Sequence, residues 1–219
     1  MTRRGQGLAA PRLSAPDLPP VLEDGAEPTR GEESFQLRWT SLSPVTDAAH
    51  STITECSLVD ASVDRFDISG ATLVDVDIAG LRATAVAGRG ARLRRVRIAG
   101  GRIGTLDLAD AELDEVELRG IRIDYLSLGG ARVSDLLVSG CTIGTLDVPQ
   151  GRLARAAFVD SRADEVDTRG LRAEHLDLRG LDALSYLDLA SLGGATLSPR
   201  QVEQLAPALA AALGIRVED

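Results

Sequence analysis

From Cys56 onward the chain repeats at an interval of five residues, and that regularity excludes most of the ways a chain can fold. Steps of five from Leu58 meet Val63, Ile68, Leu73, Ile78 and Ala83, and the column runs on through Leu93, Ile103, Leu113, Ile123, Val133, Ile143 and Leu153 to Leu178. Only Gly88 and Thr168 break its apolar character. Two residues earlier in each pentad lies a second apolar or small column, with Ala61, Phe66, Ala71, Val76, Leu106, Ala111, Val116 and Leu126. Residues two apart share one side of an extended chain, so each pentad sends two side chains inward and three toward water. A flat strand has a side-chain period of two and cannot sustain an odd repeat. A bend must reset the alternation once per pentad, and the chain winds into a coil.

A longer period sets the size of that coil. Ala71, Ala91, Ala111, Ala131 and Gly151 form a small-residue column at spacing 20, while Ala61, Leu81, Gly101, Ile121 and Cys141, ten residues off, are mixed. The hexapeptide IGTLDL at 103 returns as IGTLDV at 143, two such periods later. Four pentads per turn follow. The segments FDISG, VDIAG, LDLAD and LDLRG resemble the pentapeptide-repeat family: a small or apolar residue, Asp or Asn, Leu or Phe, then two polar positions. The resemblance covers residues 56–180 and implies an all-β fold, a right-handed quadrilateral parallel β-helix. Phe is nearly absent from the central position, and Arg often replaces the Asp or Asn before it. About six turns at a strand spacing of about 4.8 Å give a rod about 30 Å long. Gly70, Gly80, Gly90, Gly100, Gly120, Gly130, Gly140, Gly170 and Gly180 fall at the expected corners.

Composition agrees with this. Of 219 residues, 44% are hydrophobic but only 3% aromatic, so Leu, Val, Ile and Ala must fill the core. Every one of the 24 basic residues is Arg. No apolar run approaches the roughly 18 residues of a membrane span. The basic N-terminus has no apolar stretch of signal-peptide length, which predicts a cytoplasmic protein with no membrane partner. The net charge of −9 argues against direct nucleic-acid binding.

Outside the repeats, residues 1–34 hold five of the nine prolines without periodicity and predict a flexible, disordered tail. Residues 35–55 read as an N-terminal cap, with Phe35, Leu37 and Trp39 alternating as in a strand. The repeats, spanning 56–197 in all, lose register around Leu184–Leu189. Ser198, Pro199 and Gln201 then start a helix over 198–219, with Val202, Leu205, Leu209 and Leu213 on one face and Gly214 at its end. Such a helix covers the open end of the core, and the resemblance implies that it can also form a homodimer.

The chemistry-bearing residues are few. Cys56 and Cys141 occupy inward columns about four coils apart, too far for a disulfide. His175 has near it Glu174 and Asp177 but no second His or Cys pair, so neither a metal nor any other cofactor is expected. No nucleophile triad or phosphate-binding glycine loop is present, and a filled β-helix offers no catalytic pocket. The cluster Arg89, Arg92, Arg94, Arg95 and Arg97 faces acids one coil away: Arg92 meets Glu112, Arg94 meets Asp114, Arg95 lies between Asp75 and Glu115, and Arg97 between Asp77 and Glu117. The column Arg82, Arg102, Arg122 and Arg162 is different, because like charges stack at a strand spacing of about 4.8 Å. Asp124 and Asp164 relieve Arg122 and Arg162, whereas Arg82 and Arg102 have only Thr84 and Gly104 at that place. This stripe is the candidate binding surface for a carboxylate- or phosphate-bearing partner. The column Asp67, Asp107, Asp147 and Asp167 is the alternative, because some members of the resembled family mimic DNA and bind DNA gyrase, protecting it from quinolones. The repeat zone 56–180 holds 17 Arg and 20 Asp or Glu, a net of −3, and Arg columns interrupt the acidic face. The sequence thus favours a non-enzymatic scaffold for a protein partner over a gyrase-binding mimic.

Overall fold

The computed structural model describes residues 7–218. The pentads form a four-sided parallel solenoid in which nearly every strand pairs with the strand 20 residues before and after it. Arg82, Arg102 and Arg122, for example, stand in one row, as do Ala83, Ile103 and Ile123. One sheet contains eight strands, from Val45–Asp47 through Ser62–Asp67, Arg82–Ala87, Arg102–Asp107, Arg122–Ser127, Thr142–Asp147 and Ser161–Asp167 to Leu181–Leu187. The other, of twelve strands, bends around a corner inside long segments such as Thr52–Val59, Thr72–Ala79, Arg92–Ala99 and Glu112–Arg119. Eight stacked strands make the rod about 34 Å long, against about six turns expected from the repeat zone alone.

The extra coils come from the two ends. Val45–Asp47 pairs in register with Arg65–Asp67, so the expected cap is itself a coil of the solenoid. There the spacing shortens: Arg38 pairs with Ser57 and Trp39 with Leu58, 19 residues apart. Trp39 closes the core from below, buried to 4% exposure, and its indole N–H donates to the Ala26 carbonyl at 2.7 Å. At the other end the 20-residue register holds through Leu187 and slips only afterwards, where a short 3₁₀ turn, Leu189–Leu192, precedes Ala195–Thr196.

Inward columns are buried as the period requires. From Leu58 to Leu178 every position of the first column is buried except the half-buried Ala173. The two exceptions to its apolar rule have specific causes. Thr168 donates its hydroxyl to the Leu187 and Asp188 carbonyls, which links the last coils. A side chain on Gly88 would press on Leu108. Cys56 and Cys141 are buried free thiols.

The C-terminal helix α1 spans Pro199–Ala212. Ser198 and Gln201 form a reciprocal capping box, and the Gln201 amide also donates to the Leu178 and Leu181 carbonyls at 2.7 and 2.8 Å, tying the helix to the final coil. At the far end Ile215 N–H reaches Ala210 O and Gly214 N–H reaches Ala211 O, the paired bonds of a Schellman motif. Of the expected apolar face, Leu205 and Leu209 pack on the core while Val202 and Leu213 remain exposed.

The N-terminal segment departs most from the sequence expectation. Within the described part of 1–34, residues 9–17 are not loose but lie extended along one corner of the rod. Ala9 N–H donates to His175 Nδ1 at 3.2 Å, Arg12 N–H to Asp135 at 2.8 Å, Ser14 N–H to Glu115 at 2.8 Å and Asp17 N–H to Asp75 at 2.9 Å. The segment therefore runs from the last coils back to the first. Its prolines hold it extended rather than loosening it.

Candidate functional site

The arginine stripe lies on the eight-stranded sheet. Arg82, Arg102 and Arg122 follow one another in adjacent strands, Thr142 interrupts, and Arg162 resumes beside Asp182. Strand pairing alone sets the backbones of Arg82, Arg102 and Arg122 one strand spacing apart and that of Arg162 two beyond, and their outward direction is fixed by the inward burial of Ala83, Ile103, Ile123 and Ala163 next to them.

The within-strand pair expected of Arg122 and Asp124 forms, that of Arg162 and Asp164 does not, and a contact across coils is added. Arg102 reaches diagonally into the next coil and donates to Asp124 at 3.0 Å, and Arg122 shares the same carboxylate at 3.5 Å. The hydrogen bond from Arg102 holds the Asp124 carboxyl below the usual carboxylate range, with Arg122 adding to the effect. Arg82 and Arg162 make no ion pair among the described residues. The open end of the stripe borders a shallow cleft of about 800 Å³ lined by Pro44, Ser62, Asp64, Arg82, Thr84 and Arg102. A carboxylate or phosphate entering it meets a forked, unneutralised guanidinium at Arg82, and Arg102 can turn to it from Asp124.

The acidic column is spent on the fold. Asp67, Asp107 and Asp167 each accept the backbone N–H two residues on, from Ser69, Ala109 and Arg169, so they shape the corner. At Asp147 the residue two on is Pro149, which has no N–H, and the carboxylate accepts the Tyr125 hydroxyl at 2.8 Å instead. Asp67 also pairs with Arg65 and Asp167 with Arg169, while Arg89 approaches Asp107 at 3.9 Å. Hydrogen bonds from Arg169 hold Asp167 below the usual range. At Asp67 burial opposes ionisation, and bonds from Ser69 and Arg65 outweigh it. These charges are largely answered where they stand.

The linear arginine cluster resolves into pairs across coils. Arg92 meets Glu112 at 3.5 Å and Arg97 grips Asp77, with Nε donating at 2.9 Å; Arg95 grips Asp75. Arg94 stands beside Asp114 in the strand register without an ion pair among the described residues. No group of three or more His, Cys, Asp or Glu side chains that could hold a metal ion occurs among the described residues, and no described helix is long and apolar enough to cross a membrane.

No family model and no curated protein matches this chain. Among solved structures it is similar to HetL, a pentapeptide repeat protein involved in heterocyst differentiation regulation from the cyanobacterium Nostoc sp. strain PCC 7120. That match has 16% identity over 78% of this chain and 92% of the other, with a TM-score of 0.44. It is also similar to full-length QnrB1, a plasmid-mediated fluoroquinolone resistance protein, at 15% identity over 81% of this chain and 99% of the other, with a TM-score of 0.43. Four pentads per coil, held in register from strand to strand, decide the fold. The chain is a four-sided parallel β-helix built of five-residue repeats. The strand register stacks Arg82, Arg102 and Arg122 in one row, and the sequence period missed the Arg102–Asp124 contact. An acid 22 residues ahead, one coil plus two positions, was the available signal.

Proposed function

We propose that this pentapeptide-repeat β-helix is a non-catalytic scaffold that binds a protein partner, and that the arginine stripe takes carboxylate groups of that partner. The observation that carries this reading is Arg82, an outward guanidinium without an ion pair among the described residues, beside the cleft of Ser62, Asp64, Thr84 and Arg102. Its neighbour Arg102 already shows the chemistry in miniature, since it binds a carboxylate presented from one coil away. A row of outward guanidiniums suits an acidic strand or helix face, where each contact adds orientation as well as attraction.

The test is the binding of a fluorescently labelled oligoglutamate peptide to the full chain at low salt. Arg82→Glu combined with Arg162→Glu is expected to weaken binding at least about tenfold, whereas Arg94→Glu combined with Arg152→Glu, the same change of charge at outward arginines of the other sheet, leaves it within about twofold. Equal losses from both changes would reduce the effect to overall charge and overturn the assignment.

A further inference from the structure

The corner column at 55, 75, 95, 115, 135, 155 and 175 differs from the other sharp corners of the β-helix. Those mix glycine with other residues, Gly80, Gly100, Gly120 and Gly140 with Asp60 and Asp160 at one corner, and Gly70, Gly90, Gly130 and Gly170 with His50, Asp110 and Gln150 at another, all with positive φ. This one holds Glu55, Asp75, Arg95, Glu115, Asp135, Arg155 and His175, with no glycine. Six of the seven adopt positive φ, between 37° and 56°, a conformation that side chains other than glycine disfavour. Polar side chains are kept here, six of the seven against the preference of the backbone, and four of the column accept N–H groups from residues 9, 12, 14 and 17.

The fit is metric. From His175 to Asp75 is five coils, about 24 Å at the strand spacing, and the eight residues from Ala9 to Asp17 rise about 25 Å in a polyproline II conformation. Donors at intervals of three, two and three residues meet acceptors two, one and two coils apart. Pro11 and Pro16 fall between donors, where no N–H is needed. The acceptors are also held ready. Arg155 binds both oxygens of Asp135 at 2.7 Å, and Arg95 does the same for Asp75, so the carboxylates keep their aim independently of the segment. The segment contributes charge in return, its Arg12 beside Asp135 and its Asp17 beside Arg95.

We propose that this corner is a peptide-binding cleft in which Asp75, Glu115, Asp135 and His175 capture the backbone of an extended, proline-interrupted segment carrying a basic residue five positions before an acidic one. Residues 9–17 are its resident ligand, and a free peptide of the same pattern competes for the cleft. Recognition runs through main-chain N–H groups, while the side chains of Arg12, Ser14 and Asp17 stay exposed. The cleft lies on the twelve-stranded sheet, away from the arginine stripe, and the two sites stand or fall separately.

The experiment uses the full chain carrying Ala9→Pro and Ser14→Pro. Both prolines suit an extended segment but delete two of the four N–H donors, releasing the resident ligand without altering the cleft. A fluorescein-labelled peptide of residues 7–20 is titrated by anisotropy into this variant and into the unaltered chain. Since a tethered segment competes at an effective concentration near millimolar, the peptide is expected to bind the variant at least about tenfold more tightly. A peptide with Arg12→Glu and Asp17→Arg is expected to lose at least about fivefold. No binding to the folded variant at about 1 mM peptide, or equal binding of the charge-exchanged peptide, would overturn the proposal. Hydrogen exchange on the unaltered chain decides independently of the variant's folding. Protection at Ala9, Arg12, Ser14 and Asp17 supports the cleft, and exchange at random-coil rates there overturns it.

Discussion

Arg95 stands one coil beyond Asp75 and holds both of its carboxylate oxygens, Nε donating to Oδ1 at 2.6 Å and Nη2 to the other oxygen. Both residues have positive φ, and Asp75 is only 4% exposed. Removing the cation leaves a buried carboxylate with one remaining backbone donor, from Asp17. Arg95→Met is therefore expected to destabilise the protein by about 2–3 kcal/mol, and Asp75→Asn combined with Arg95→Met by less than the sum of the single changes. Urea unfolding of the three variants measures the coupling; strict additivity would show that the contact contributes nothing.

Acid should act through the same groups. The Arg95 guanidinium holds Asp75 below the ordinary carboxylate value of 3.8, and Arg169 does so for Asp167. A carboxyl more acidic in the folded than in the unfolded chain contributes stability that is complete above the unfolded value and is lost as pH falls through the folded one. The urea midpoint is expected to stay level from about pH 7 to pH 5 and to drop below about pH 4. A midpoint that rises in that acid range would reverse the sign of these pairings.

Two glycines separate backbone strain from crowding. Gly90 has φ +67° with open space where a Cβ would stand, whereas Gly101 has φ +82° and its Cβ would overlap the Leu81 carbonyl oxygen. Gly90→Ala is expected to cost about 1 kcal/mol and Gly101→Ala about 3 kcal/mol or more. Denaturant midpoints of the two variants rank them, and equal losses would mean that the coil spacing around Leu81 relaxes freely.

The Tyr186 hydroxyl is buried without a hydrogen-bond partner among the described residues, and burial pushes its pKa up to about 12. An unsatisfied buried hydroxyl is a net cost, so Tyr186→Phe is expected to stabilise the protein by about 1 kcal/mol. Calorimetry showing a lower melting temperature would reveal a partner for that oxygen.

Burial likewise raises the Cys56 and Cys141 thiols. Cys56 contacts the Thr54 carbonyl at 3.2 Å, and Cys141 the Leu118 and Ser139 carbonyls at 3.4 Å. Neither is expected to alkylate with iodoacetamide in the folded protein, and both should do so in denaturant. Mass spectrometry reads the difference directly, and rapid labelling of the folded chain would place a thiol at the surface.

Why the solenoid was legible and the docked segment was not follows from where the information sits. The coil is written in side chains: Leu73, Leu93 and Leu113 fill equivalent places because each stacks on the last, so the packing geometry becomes a period. The coils contributed by Val45–Asp47 and by Leu181–Leu187 were partly hidden, because a single turn at an end has few repeats to average over. The N-terminal segment is bound through the N–H groups of Ala9, Arg12, Ser14 and Asp17, which every residue except proline carries. Its prolines look the same in a disordered tail and in a docked polyproline strand. The receiving side was visible as a glycine-free corner column, but nothing in a linear reading joins residue 9 to residue 175.

The direction of that segment has a consequence for biosynthesis. Ala9 is made 166 residues before its acceptor His175, so the segment waits for a coil made long after it. During translation the corner fills in the order in which the coils are laid down, which is the reverse of the segment's own order: Asp75 is ready for Asp17 first and His175 for Ala9 last. A ribosome stalled midway would carry stacked coils with part of that segment undocked, and the Ala9 contact would report that the coils as far as His175 had been laid down.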